Sequence, residues 1–154
     1  MAKKKEREFC LTKALSHISY YDFIIIDCAP SMNLMNQNAL IFVDEVVVPV
    51  SMEYLSLIGI RQLLKNIKII NKIFNKNLKI TKVIPTFYDK RNNKSKNILK
   101  SVTRVFPSNT TKPVGVNIRL SEAPSKRMSI FEYDPNSIPA NEYYNIAEEM
   151  INNG

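Results

Sequence analysis

The sequence predicts an α/β domain: a mostly parallel sheet with helices on both faces. Three observations carry that expectation. Short apolar or β-branched runs alternate with longer stretches of helical periodicity. Strands separated by helices imply βαβ crossovers, which lay the helices against the sheet. The chain has 154 residues, 45% of them hydrophobic, enough to bury one core. No internal repeat, low-complexity tract or linker divides it, so residues 1–154 read as a single domain.

The elements run in order. Residues 7–18 place Phe9, Leu11, Ala14, Leu15 and Ile18 near helical spacing. Residues 23–26, "FIII", form a continuous apolar run that fits a strand covered on both faces. Residues 34–42 read as a short helix, and residues 45–50, "EVVVPV", as a strand. Pro49 lacks an N–H, so that strand ends there or has a neighbour that does not need one. Next, Ile60, Leu63, Leu64, Ile67, Ile70 and Phe74 make one apolar helical face, with Ser56 as the expected cap. The other face carries Arg61, Lys65, Lys68, Lys72 and Lys76 as a basic stripe. Residues 80–85 are a strand. Residues 95–106 are a helix with Ile98, Leu99, Val102, Val105 and Phe106 inward. Residues 114–118 look like a strand. Residues 139–151 close the chain as a helix, with Tyr143, Ile146, Ala147 and Met150 on one face and one of Tyr143 and Tyr144 outward.

Charge is distributed unevenly. The net charge is +8, and between Tyr54 and Ser121 there are 15 Lys/Arg against a single acid, Asp89. A one-sided basic middle points to a polyanion, nucleic acid before an anionic membrane. No apolar run approaches the ~20 residues of a membrane span, and "MAKKKEREF" is too polar for a secretory signal. A cytoplasmic chain is expected, with Cys10 and Cys28 as reduced thiols in no metal-binding spacing. His17, the only histidine, reads as a surface or packing residue.

Ligands of open α/β sheets bind outside the carboxyl ends of the strands. Asp27, Ser51 and Thr86 fall there. An apolar strand ending in Asp, with Pro30 and Ser31 after it, has the form of a Walker B segment, where the acid accepts from a water on Mg²⁺. The same pattern also suits an acid that caps the next helix. The sequence holds only three glycines and no G-x-x-x-x-G-K-[ST] or G-x-G-x-x-G run. A phosphate cradle built on a glycine-rich turn is not encoded in it.

The surrounding stretches resemble a known family. "EREFCLTKALSHISYYDFIIIDCAPSMNLMNQNALIFVDEVVVPVSMEYLSLIGIRQLL" is similar to the middle of ParA-type chromosome or plasmid partition ATPases, of the Soj-like kind within the ParA/MinD family. "VIPTFYDKRNNKS" and "NIRLSEAPSKRMSIFEYDPNSIPANEYYNIAEEM" are similar to its later segments. The likeness runs from Glu6 to the end. It implies an incomplete P-loop NTPase fold of the deviant Walker A class, since the family's first strand, Walker A loop and water-positioning acidic segment all precede the position of Glu6. A truncated frame, a decayed copy, a split gene and a deliberate fragment are all compatible with that.

The resemblance assigns roles. Asp27 is the water-mediated Mg²⁺ ligand, Pro30 and Ser31 belong to the switch loop, and Pro85 and Thr86 lie where the family's base pocket lies, with Asp89 close by. Arg91 and Arg119 match two arginines that serve non-specific DNA binding, and Lys90, Lys94, Lys96, Lys100 and Arg104 extend that patch. Guanidinium suits phosphate, though Arg119 has a carboxylate, Glu122, three residues on that offers a purely structural pair. The family binds Mg-ATP, dimerises and acts with a ParB-like partner on nucleoid DNA. Without the cradle, this chain is expected neither to hold Mg-ATP stably nor to hydrolyse it alone. Its expected function is that of a ParA-like partition protein keeping sequence-independent DNA binding. The alternatives are a module that completes or inhibits a ParA-like dimer partner, and a non-functional remnant. Family glycines are replaced here: Asn33 stands at one, Lys126 or Arg127 at another and Pro139 at a third, while Ala29 replaces a family proline.

Overall fold

The computed structural model describes residues 7–29, 33–74 and 76–152. They fall into two compact units. One consists of residues up to Val46 together with Leu63–Lys79, and the other of Val47–Gln62 together with the chain from Ile80 on.

The first unit combines small helices with the chain from Leu63 to Lys79. A 3-10 turn, Arg7–Phe9, leads into helix α1, Cys10–Leu15, and later comes α2, Leu34–Phe42. The expected helix over 7–18 is thus shorter than its apolar spacing suggests, and none of its residues is buried. Asn38 explains the arrangement. It is 3% exposed, and its side chain takes a hydrogen bond from Leu11 N and gives two, to Arg7 O and Leu34 O. A buried amide with its partners met fixes which turn meets α2. Asn33 caps α2 by accepting from Asn36 N at a φ of −102°, a conformation that does not call for glycine.

Residues 23–26 do not form the expected strand. Phe23, Ile24 and Ile25 are 64%, 41% and 90% exposed, and no described segment pairs with them. A strand exists through its ladder. An apolar run without neighbours has nothing to be buried by.

The second unit holds most of the sheet. Strand β1, Glu45–Ser51, is followed by helix α3, Tyr54–Phe74, and strand β2, Lys79–Thr86. Met52 N, just past the end of β1, donates to Thr86 O at the end of β2, as a parallel βαβ unit requires. On its other side β2 meets a third lane through parallel bridges, Val83 with Thr110 and Tyr88 with Gly115. The sheet is parallel and the class is α/β. Val83, in the middle lane, is fully buried. The expected strand over 114–118 shrinks to this bridge, because Asn117 caps a helix that starts at the next residue.

The remaining helices are α4, Asn93–Val105, α5, Ile118–Ser125, α6, Ile130–Tyr133, and α7, Ile138–Ile151. Ile84, Val114 and Ile146 form a core cluster, with Val47, Leu120 and Tyr143 packed against it. Ile98, Val102 and Phe106 of the α4 region are buried as expected, but Val105 is 59% exposed. On α7, Ile146 is inward and Tyr144 outward, while Ala147 and Met150 are exposed rather than part of the inner face. Ser56 is not the cap of α3, since the helix already begins at Tyr54. Lys76 leaves the basic stripe altogether. It lies beyond α3 in the first unit, and its Nζ donates to the Ile41, Phe42 and Val43 carbonyls at the end of α2. A cation there meets the negative end of the helix dipole.

Candidate functional site

Within the second unit, an open hollow of about 480 Å³ lies beyond the carboxyl ends of β1 and β2. Ser51, Met52 and Glu53 line it from β1, and Phe87, Asp89, Asn92, Lys94, Ser95 and Val116 complete the wall. This is where a parallel sheet places its ligand. Two expected residues stand just short of it. Pro85 is a buried strand residue whose carbonyl accepts from Val114 N, and Thr86 uses its carbonyl on Met52 N. The lining starts one residue later, at Phe87. That residue has φ of 53° and is 66% exposed. A bulky side chain in the left-handed region costs about 1–2 kcal/mol. The turn it makes lets Tyr88 rejoin the ladder against Val114 and Val116.

Asp89 organises the turn into α4. Its Oδ1 accepts from Arg91 N at 2.9 Å and from Arg91 Nε at 3.2 Å, while its own N–H donates to the buried Ser95 hydroxyl. The backbone N–H of Arg91, then its side chain, hold the Asp89 carboxyl below its ordinary range. Asn92 caps α4 by accepting from Lys94 N. The result is a basic helix start: Lys90 and Arg91 before the cap and Lys94 and Lys96 after it are all exposed. Arg91 is tethered but reaches out, with 87% of its side chain accessible.

Arg119 stands differently. Its Nη1 donates to Glu122 at 3.2 Å, its Nε lies 3.5 Å from Asp134, and the guanidinium sits 6.0 Å from the Tyr133 ring centre. The Tyr133 hydroxyl donates to the same Glu122 oxygen. Arg119 thus ties α5 to α6, and two carboxylates surround it.

Asp27 belongs to the first unit, where it is exposed on the unpaired run. Its neighbour Cys28 is a free thiol, its pKa raised by partial burial and then by the Asp27 charge. Pro30 and Ser31 lie outside the described residues. Among the described residues no cluster of three or more His, Cys, Asp or Glu could hold a metal. Asp27 is the residue among these that the Walker B reading assigns to a water-mediated Mg²⁺ contact.

Several residues escaped sequence reasoning. Asn38 left no local pattern, and the spacing of Lys76 pointed to the basic stripe instead of to the α2 carbonyls. Ser129 and Glu132 form a capping box, each accepting from the other's backbone N–H, and its S-x-x-E spacing was readable. Glu142 accepts from Gly115 N and holds the third lane. Arg127, one of the two residues at the expected family glycine after "EAPS", has φ of 57°.

Known proteins agree with this architecture. Residues 1–80 match the family model described as an AAA domain. The chain is 41% identical over 150 residues to the sporulation initiation inhibitor protein Soj of Bacillus subtilis, covering 96% of this chain and 59% of that protein. The chain belongs to the ParA/MinD-like family of AAA domains. The chromosome-partitioning ATPase Soj of Treponema pallidum is 35% identical, covering 98% of this chain and 60% of that protein. Among solved structures, an ATP complex of a Cyanothece McdA variant superposes with a TM-score of 0.82 over 97% of this chain and 59% of its own, at 17% identity. That likeness concerns the fold. The chain spans about 60% of the length of these ParA/MinD-like relatives. No helix among the described residues is long and apolar enough to cross a membrane.

Proposed function

We propose that the chain acts in chromosome or plasmid partition and that its own contribution is sequence-independent binding of duplex DNA. The observation that carries this reading is the start of α4, where Lys90 and Arg91 of the preceding turn and Lys94 and Lys96 of the first helical turn are exposed together. Such a turn meets phosphate, and no base-reading element accompanies it, so position on DNA is free and affinity falls with salt. Arg119 joins the interface when phosphate replaces Glu122 and Asp134 as its partner. Asp27 contributes a water-mediated Mg²⁺ contact when a phosphate cradle is supplied, and ATP hydrolysis is not assigned to these residues alone. A ParB-like protein and a ParA-like dimer partner are the protein ligands, and the cytoplasm, on nucleoid DNA, is the place of action.

The test is fluorescence anisotropy on a random-sequence duplex over a salt series. Arg91→Ala with Arg119→Ala is expected to weaken binding about tenfold and to flatten the salt slope by roughly two. Absence of binding by the unaltered chain at low salt sinks the reading. A second reading, a module that completes a ParA-like partner, is favoured by the exposed apolar run over residues 20–25. It predicts a defined complex with a ParA-type amino-terminal segment, seen by light scattering.

A further inference from the structure

Helix α3 carries charge that the interface on α4 does not use. Residues 54–88 contain seven Lys/Arg and no acid. Some of these cations are already engaged: Lys76 holds the α2 carbonyls, and Lys82 pairs with Glu149 at 3.7 Å. Lys65, Lys68 and Lys72, on the part of α3 within the first unit, are exposed and form no ion pair among the described residues. Their spacings of three and four residues put them on one side of the helix over about 10 Å.

An ordinary solvated helix face mixes signs, because acids at i±4 relieve the repulsion between bases. Here each lysine has another lysine as its neighbour and no acid in the same helix. Nothing within the helix offsets that repulsion, so an anion from outside would lower it. Duplex nucleic acid presents one charge per about 1.7 Å of axis, so three lysines along 10 Å meet several phosphates at once. Ile69 and Ile73, 55% and 65% exposed, lie beside the stripe. Two isoleucines are too little for interfacial insertion, which needs a broad apolar face; the broad face of α3 is already turned inward through Ile67 and Ile70.

We propose that Lys65, Lys68 and Lys72 form a further contact for the phosphate backbone of duplex DNA, carried by residues other than the α4 turn. This rests on the DNA-binding reading above and adds a site to it. Electrostatics alone drives the contact, so lysine and arginine serve equally and base sequence does not matter.

The test uses the whole chain and a random-sequence 24-base-pair duplex, read by anisotropy across a salt series. The triple variant Lys65→Gln, Lys68→Gln, Lys72→Gln is expected to bind about tenfold more weakly, with a salt slope reduced by roughly two to three. The triple Lys→Arg variant keeps wild-type affinity, and a thermal melt unchanged in both variants shows the fold intact. Wild-type affinity and slope in the Gln variant overturn the proposal while leaving the α4 interface standing. No binding by the wild-type chain removes both readings. Loss of binding to phosphatidylglycerol vesicles, with duplex binding unchanged, assigns the stripe to lipid and overturns the proposal as well.

Discussion

Two stretches of the chain look alike in sequence and end differently. "DFIIIDCA" and "TKVIPTFYD" are both short apolar runs that deliver a polar residue to a loop. The second runs along β2 through Thr86, flanked by β1 and by the lane through Thr110 and Gly115, and Val83 is fully buried. The first has no ladder among the described residues, and Ile25 is 90% exposed. Apolar character sets what a strand is suited to. Neighbours decide whether it becomes one. The loops differ too: one carries Asp27, the other leads into the basic turn of α4.

Substitution breaks the comparison most sharply. Val83→Asp puts an unpaired charge in the middle lane and is expected to cost more than about 4 kcal/mol, enough to unfold the second unit. Ile25→Asp should change stability by less than about 0.5 kcal/mol, because water already surrounds that side chain. Urea titration of both variants checks the pair; similar losses would mean that residues 23–26 are buried after all. Next in size is Asn38→Ala, which leaves Leu11 N, Arg7 O and Leu34 O to find other partners, at about 1–3 kcal/mol. Lys76→Met uncovers three carbonyls of the α2 end and is expected to cost about 1 kcal/mol.

One change runs the other way. Arg127→Gly relaxes a left-handed residue after α5 and should stabilise by about 1 kcal/mol, read as a raised Tm. The smallest effect is in pH. Asp89 and Glu132 are both held below their ordinary range by hydrogen bonds to their charged forms. A depressed folded pKa adds stability above the unfolded value and loses it as pH falls through the folded one. Stability should therefore decline from the ordinary carboxylate range downward, and the Asp89→Asn, Glu132→Gln pair should flatten that decline.

The same physics separates the legible parts of the chain from the rest. Helix 34–42 and strand 45–50 could be read because caps, β-branching and apolar spacing are local signals. The α4 turn was legible as charge. Asn38 and Lys76 were not, since their partners lie about thirty residues away in sequence. Phe87 and Arg127 carry positive φ without being glycine, so no residue type announced those turns. Arg119 was legible as a cation, and Glu122 as its pair, but not the part played by Asp134 and Tyr133, which the α6 turn brings in.

The most direct measurement compares the two loops in one assay. Duplex affinity at low salt is measured for Asp27→Asn and for the quadruple variant Lys90→Gln, Arg91→Gln, Lys94→Gln, Lys96→Gln. The account predicts unchanged affinity for Asp27→Asn and a loss of more than about tenfold for the quadruple variant. Unchanged binding in the quadruple variant, or a loss in Asp27→Asn, would contradict it.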